Sequence, residues 1–271
     1  MVSNSRIIAI VNQKGGVGKT TTTVNLATAL AAIGKKILML DLDPQGNASS
    51  GFGIAIANRK NNIYQVLCDS ITIDKAIIKT NIPGLDVISS TVNLSGAEIE
   101  LSHAEGREFK LKNKLNQIAS RYDYILIDCP PSLSLLTLNA LVAANSVLIP
   151  MQCEFYALEG LSHLIQTIEK IKKHLNPSLK IDGIVLTMYD IRNKLTQLVE
   201  ADVREYLSDK VYSTVIPRNV KISEAPSHGL PAIIYDFRCS GSVAYIKLAK
   251  ELLKRDKDTQ KRNVSRETIT S

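Results

Sequence analysis

The chain has 271 residues and a formal net charge of +7; 45% of its residues are hydrophobic and 22% charged. That length builds a core without disulfide or metal staples, and the composition is that of an ordinary soluble globular protein. With 5% aromatics and no tryptophan, a base-stacking platform for single strands is not expected. No window approaches the roughly 20 apolar residues of a membrane span, so no membrane partner is expected.

Residues 250–271 hold seven Lys/Arg and four Asp/Glu, contributing +3 and leaving +4 on the rest of the chain. This basic excess permits a polyanionic partner without establishing one. Cys68, Cys129, Cys153 and Cys239 are spaced neither as a metal clip nor as a redox pair. They are expected as reduced thiols, with Cys129 buried and inert. The apolar run Ile7 to Val11 is too short for a secretory leader and leads into glycines, so a cytoplasmic location is expected.

In chain order, RIIAIV (Arg6 to Val11) predicts a short buried strand that stops at a glycine loop. Val24, Leu26, Ala27, Leu30 and Ala31 follow at helical spacing, closed by Gly34, and KKILMLDLD then predicts a buried strand with acids at its end. Strand, glycine loop, helix and strand make a βαβ unit. The alternation returns with a strand over Tyr122 to Asp128, a helix over PPSLSLLTLNALVAA, a strand over Ser146 to Pro150 and a helix over Glu154 to His174. LKIDGIVLT predicts a strand, Lys194 to Leu207 a helix, KVYSTVIP a further strand, and Val243 to Leu253 an amphipathic helix packed on the core. The fold class is therefore α/β: a mostly parallel twisted sheet with helices on both faces. No internal repeat and no boundary within the core is visible. Residues 1–254 are expected as one domain and 255–271 as a polar, disordered tail.

In such sheets ligands sit beyond the carboxyl ends of the strands, where the glycine loop, Asp41, Asp43 and Asp128 all fall. The loop NQKGGVGKTTT nearly fits the phosphate-binding pattern G-x-x-x-x-G-K-[ST], with Gln13 in place of its first glycine. Gly15, Gly16, Val17 and Gly18 would turn backbone N–H groups toward phosphate oxygens at the start of a helix. Lys19 would reach the β- and γ-phosphates, and the Thr20 hydroxyl would ligate Mg²⁺. A dinucleotide fingerprint does not fit, because Thr21 stands where its third glycine belongs. Asp128 would hold the Mg²⁺ water shell, cap the next helix ahead of Pro130 and Pro131, or do both. Asp41 and Asp43 are two apart and share a face if the strand persists; their spacing leaves open which acts on water and which supports the metal. G-x-S-x-G, H-E-x-x-H and clustered Cys/His are all absent, so phosphoryl transfer to water is the chemistry these residues suit.

KGGVGKTT (Lys14 to Thr21) is a deviant Walker A motif. Together with DLDPQGN (Asp41 to Asn47), ILIDCPPS, QCEFYALEGL, VLTMYD and VIPRNVKISEAPSHG, it resembles the ParA/Soj partition ATPases, which share the P-loop NTPase fold, from residue 5 to residue 253. The resemblance implies that Lys14 is the signature lysine, reaching across an ATP-sandwich homodimer to the partner's phosphates. It implies Lys19 as the in-cis lysine, Thr20 as the Mg²⁺ ligand, Thr21 as a phosphate contact, Asp43 as the hydrolytic carboxylate and Asp128 as the Walker B acid acting through water. Pro217 and Asn219 match positions that line the adenine. Arg192 and Lys221 match positions that bind double-stranded DNA without sequence preference. Lys221 stands where arginine is usual, keeping the charge and losing the fork. The resemblance further implies slow ATP hydrolysis stimulated by a ParB-like centromere-binding protein, and a nucleoid-associated location. The first strand begins near Arg6, so the helix-turn-helix extension of larger plasmid partition ATPases is not expected. A MinD-like membrane ATPase would need a membrane-seeking helix at the extreme C-terminus, where this chain is polar. A metabolic ligase of the same superfamily would need a carboxylate-substrate pocket that no feature demands. An iron–sulfur reductase would need a cysteine pair that Cys129 and Cys153 do not make.

Overall fold

Four nearly continuous apolar runs form the middle of one sheet. The computed structural model describes residues 5–267. Its strands are β1 (Arg6–Ile10), β2 (Ile37–Asp41), β3 (Ile77–Lys79), β4 (Leu85–Ile88), β5 (Tyr124–Asp128), β6 (Ser146–Gln152) and β7 (Lys180–Thr187). They lie in the order β3-β4-β2-β5-β1-β6-β7, parallel except for the antiparallel pair β3–β4. This is a P-loop NTPase fold.

Side chains alternate across each strand, so each one feeds two cores. On one face Ile7, Ala9, Leu38, Leu40, Ile125 and Ile127 meet helices α3 (Ile63–Leu67), α4 (Leu94–Glu100), α5 (Lys110–Leu115), α6 (Leu135–Ala143), α7 (Ala157–His174) and α8 (Lys194–Leu207). On the other, Ile8, Ile10, Met39 and Leu126 meet α1 (Lys19–Ala32) and α11 (Ser240–Glu267), with α2 (Asn47–Gly51) and α10 (Ala232–Tyr235) at the edge. α9 (Val220–Glu224) lies in the loop after residue 217.

Three expectations need correction. KVYSTVIP is not a strand: it meets β7 at an isolated bridge, Ile184–Val211, with a second bridge, Tyr189–Pro217, just past the end of β7. The Glu251 carboxylate of α11 accepts from the backbone N–H groups of Ser213 (2.8 Å) and Thr214 (2.9 Å), drawing the segment's middle away from the ladder. β3 and β4 lie where no strand was expected. The polar segment from residue 255 is helical through Glu267, and residues 268–271 lie outside the described residues. Past Leu253 the helix is still tied to the body. Arg255 Nη2 donates to Val211 O at 2.8 Å, Asp256 accepts from Tyr124 Oη at 2.6 Å, and Arg6 pairs with Asp256.

Gly183 in β7 allows Tyr212 to lie against the strand: a Cβ there would stand 2.6 Å from Tyr212 Cε2 and 2.7 Å from Lys210 O. Gly183→Ala should destabilise the chain by about 1–3 kcal/mol. Urea unfolding measures it, and an unchanged midpoint would contradict so close an approach.

Candidate nucleotide-binding site

The glycine loop leaves the carboxyl end of β1 and enters α1 at Lys19. Gly16 and Gly18 take the left-handed conformation, with φ of 75° and 85°, which a side chain would strain. The loop is tethered from below. Asn12 Nδ2 donates to Pro150 O at the end of β6 (2.8 Å), and Thr187 Oγ1 at the end of β7 donates to the carbonyl of buried Val17 (2.8 Å). No side chain caps α1, so its first-turn N–H groups are left for an anion. Lys19 is folded under the loop, its Nζ donating to Lys14 O at 2.9 Å. Burial lowers its pKa, and the charges of Asp128 and Asp43 oppose that fall.

Beneath the loop the parallel register sets Asp41 of β2 beside Asp128 of β5, both fully buried. Thr20 and Thr23 donate from one face of α1 to the two oxygens of Asp128, at 2.8 and 3.0 Å. Asp41 accepts from the N–H and hydroxyl of Ser49, both at 2.7 Å, and from the Asp43 N–H at 3.2 Å. Burial pushes Asp128 up to about 8, with the charge of Asp41 adding to the rise and the threonine bonds opposing it. Burial likewise pushes Asp41 up to about 6, against its bonds from Ser49 and Asp43. The hydroxyl of Thr20 and the carboxyl of Asp128 converge as hard oxygen donors, a set that fits Mg²⁺. Asp43, nearly buried, closes a turn: its Oδ1 accepts from the Gln45 N–H and its carbonyl from the Gly46 N–H, each at 2.9 Å.

The family model described as an AAA domain matches residues 5–181. The chain is 54% identical to the chromosome partitioning protein ParA of Caulobacter vibrioides over 257 residues, covering 94% of this chain and 96% of that one. It is 56% identical to the sporulation initiation inhibitor protein Soj of Bacillus subtilis over 247 residues, covering 91% and 98%. Among solved structures, cobyrinic acid a,c-diamide synthase of Mycobacterium smegmatis, crystallised with ADP and magnesium, superposes with a TM-score of 0.82 at 34% identity, covering 93% and 96%. The chain belongs to the ParA/Soj family of chromosome-partitioning ATPases.

Within this ParA/Soj chain, Lys14 behaves unlike Lys19. It is exposed, and its ammonium pairs with Glu154 in the loop between β6 and α7. Thr21 lies on the first turn of α1, half-buried. Pro217 forms the bridge to Tyr189, and Asn219 is occupied with the loop itself: it caps α9 through Lys221 N (2.8 Å) and donates to Ser240 Oγ (2.9 Å). Arg192 is 86% exposed at its side chain and forks onto Asp190 at 2.9 and 2.8 Å, holding that carboxylate down at about 2. Lys221 pairs with Glu224 at 2.9 Å and lies 5.6 Å from the Tyr235 ring centroid. The Tyr189–Pro217 bridge makes the loops that carry Arg192 and Lys221 neighbours. Sequence reasoning missed Thr23, although its spacing of three from Thr20 puts both on one helical face. It also missed Glu154 as the partner of Lys14, which no local pattern signals.

The folded chain keeps protons on Asp41 and Asp128 that the unfolded chain releases. Stability from this pair is therefore greatest in acid and falls as pH rises through about 6 and about 8. Asp41→Asn removes one of the two charges, so the variant's unfolding midpoint relative to the parent should rise between pH 5 and pH 8 in metal-free buffer. A difference independent of pH, read by calorimetry, would refute the account.

Proposed function

We propose that the protein is an Mg²⁺- and ATP-dependent DNA-segregation ATPase, hydrolysing ATP to ADP and phosphate slowly and cycling between monomer and ATP-bridged homodimer. The observation that carries the reading is the division of labour between two lysines. Lys19 is folded inward over the acids, while Lys14 leaves the same loop and faces outward. An outward lysine beside a phosphate loop is placed for a neighbour's phosphates, which is the role the family's motif implies.

The backbone of Gly15 to Gly18 and the start of α1 would bind the phosphates, with Lys19 and Thr21 contacting them. Thr20 and, through water, Asp128 would hold Mg²⁺, which supplies charge neutralisation on the phosphate oxygens. Asp43, held by its turn, would orient the attacking water. Pro217 and Asn219 border the adenine in this reading. For Asn219 that requires its present bonds to be shared or exchanged. The dimer would contact non-specific double-stranded DNA through Arg192 and Lys221, each released from its acidic neighbour, and a ParB-like partner would stimulate hydrolysis and so release DNA. Phosphate contacts need charge more than base readout, so lysine serves at position 221. Among the described residues no helix is long and apolar enough to cross a membrane. The likeness to a diamide synthase supports the shared nucleotide chemistry, and the higher identity to ParA and Soj favours partition.

Lys14→Ala should abolish ATP-dependent dimerisation in light scattering while leaving nucleotide binding by the inward face measurable. A mutant that dimerises normally would remove the trans role. Arg192→Glu should lose DNA in a salt-titrated binding assay and keep ATP affinity; retained salt-sensitive binding would move the DNA surface elsewhere. ATP turnover measured with and without DNA and the ParB-like protein tests the reading as a whole, with joint stimulation the expected result.

A further inference from the structure

Arg59 lies outside every motif singled out in the sequence, yet it is only 5% exposed. Buried arginines normally face a carboxylate; the hydrogen bonds of this one go instead to backbone carbonyls and a hydroxyl. Nε donates to Ile54 O at 3.0 Å. Nη1 donates to Gly46 O at 3.0 Å and Ser90 O at 3.2 Å, and Nη2 to Ser50 Oγ at 2.8 Å and Ile54 O at 2.7 Å. All five N–H donors of the fork are used. Burial lowers the Arg59 pKa, and the charge of Asp41 opposes the fall.

The acceptors have one thing in common. Gly46 closes the turn that begins at Asp43, and Ser50 Oγ donates back to Gly46 O at 3.1 Å. Ser90 follows β4, and its N–H donates to Ser49 Oγ, the same hydroxyl that donates to Asp41. The fork thus joins the Asp43 turn, α2 and the end of β4. Gly46 is fitted to it: φ is 65°, and a Cβ there would stand 2.4 Å from Arg59 Nη1 and 3.0 Å from Ser90 O. Arg59 is itself fixed, because its carbonyl accepts from Asn62 Nδ2 at 2.8 Å and Asn62 caps α3.

We propose that Arg59 is a positioning residue for hydrolysis, clamping the Asp43–Gly46 turn so that the Asp43 carboxylate keeps its aim. Asp43 Oδ1 is bonded to the turn's own backbone, so any shift of Gly46 turns the carboxylate. Lysine, with three donors on one nitrogen, cannot bridge these acceptors. The proposal rests on Asp43 being the hydrolytic carboxylate.

The test compares Arg59→Lys, Asp43→Ala and the double variant in the full chain, by ATP turnover with Mg²⁺, fluorescent-ATP binding and thermal unfolding. Arg59→Lys should lower turnover about tenfold to a hundredfold while ATP binding changes by less than about threefold, and should cause no further loss in the Asp43→Ala background. Full turnover in Arg59→Lys beside an inactive Asp43→Ala overturns the proposal alone. Turnover, binding and unfolding midpoint falling together mark a general structural role and overturn it as well. Full turnover in Asp43→Ala rejects the assignment of Asp43, and the proposal with it. Should Arg59→Lys fail to fold, Ser50→Ala removes one acceptor of the fork. A severalfold fall in turnover at unchanged ATP binding is then expected, and unchanged turnover overturns the proposal.

Discussion

Two carboxylates side by side under a phosphate loop constrain everything around them. The register of β2 and β5 puts Asp41 beside Asp128 with no solvent to screen them, and in that setting charges repel far more than in water. The chain answers with directed donors. Thr20 and Thr23 of α1 serve Asp128, and Ser49 of α2 serves Asp41. The starts of both helices are thereby fixed relative to the strand ends. The loop between β1 and α1 inherits its position from the same bonds. A cation bound at this edge would favour the ionised carboxylates that burial and mutual repulsion disfavour.

The rest of the site extends this constraint outward. Lys19 loses solvation to face the acids, which places an ammonium under the loop. Arg59 has the corresponding role in the neighbouring loop, where its buried charge is directed at the carbonyls of Gly46, Ile54 and Ser90. Lys19 is held by a carbonyl of its own loop, whereas Arg59 joins acceptors from the Asp43 turn, α2, the loop after α2 and the end of β4. α11 carries this order to the opposite end of the sequence. Tyr245 of that helix touches Thr22 of α1 at 3.3 Å between hydroxyl oxygens, packing the C-terminal helix against the one that follows the glycine loop.

Much of this was legible in the sequence where the signal is local. β1, β2, β5 and β6 are largely apolar runs, β7 is apolar over its second half, and the Walker residues sit at fixed local spacings. β3 and β4 span three and four residues, too short for a period to declare itself. The segment over 210–217 has the composition of a strand but loses its middle to Glu251, 37 positions from Thr214. Helix α11 passes residue 255 because Asp256 and Arg255 have partners in β1, β5 and the loop after α8. Arg59 and Glu154 were invisible for the same reason: their meaning lies in contacts made by folding, the Lys14–Glu154 pair spanning 140 positions.

That pair has a further consequence. Both members are substantially exposed, and an ion pair in water contributes about 0–1 kcal/mol. Glu154 therefore does little to hold Lys14 in place, but it does keep the resting surface near the loop electrically neutral. In the proposed dimer, the lysine would exchange this counter-charge for an anion on another subunit and would leave exposed only a glutamate that is already hydrated. In that reading, joining two subunits would be a swap of ionic partners at a wet surface, sensitive to salt.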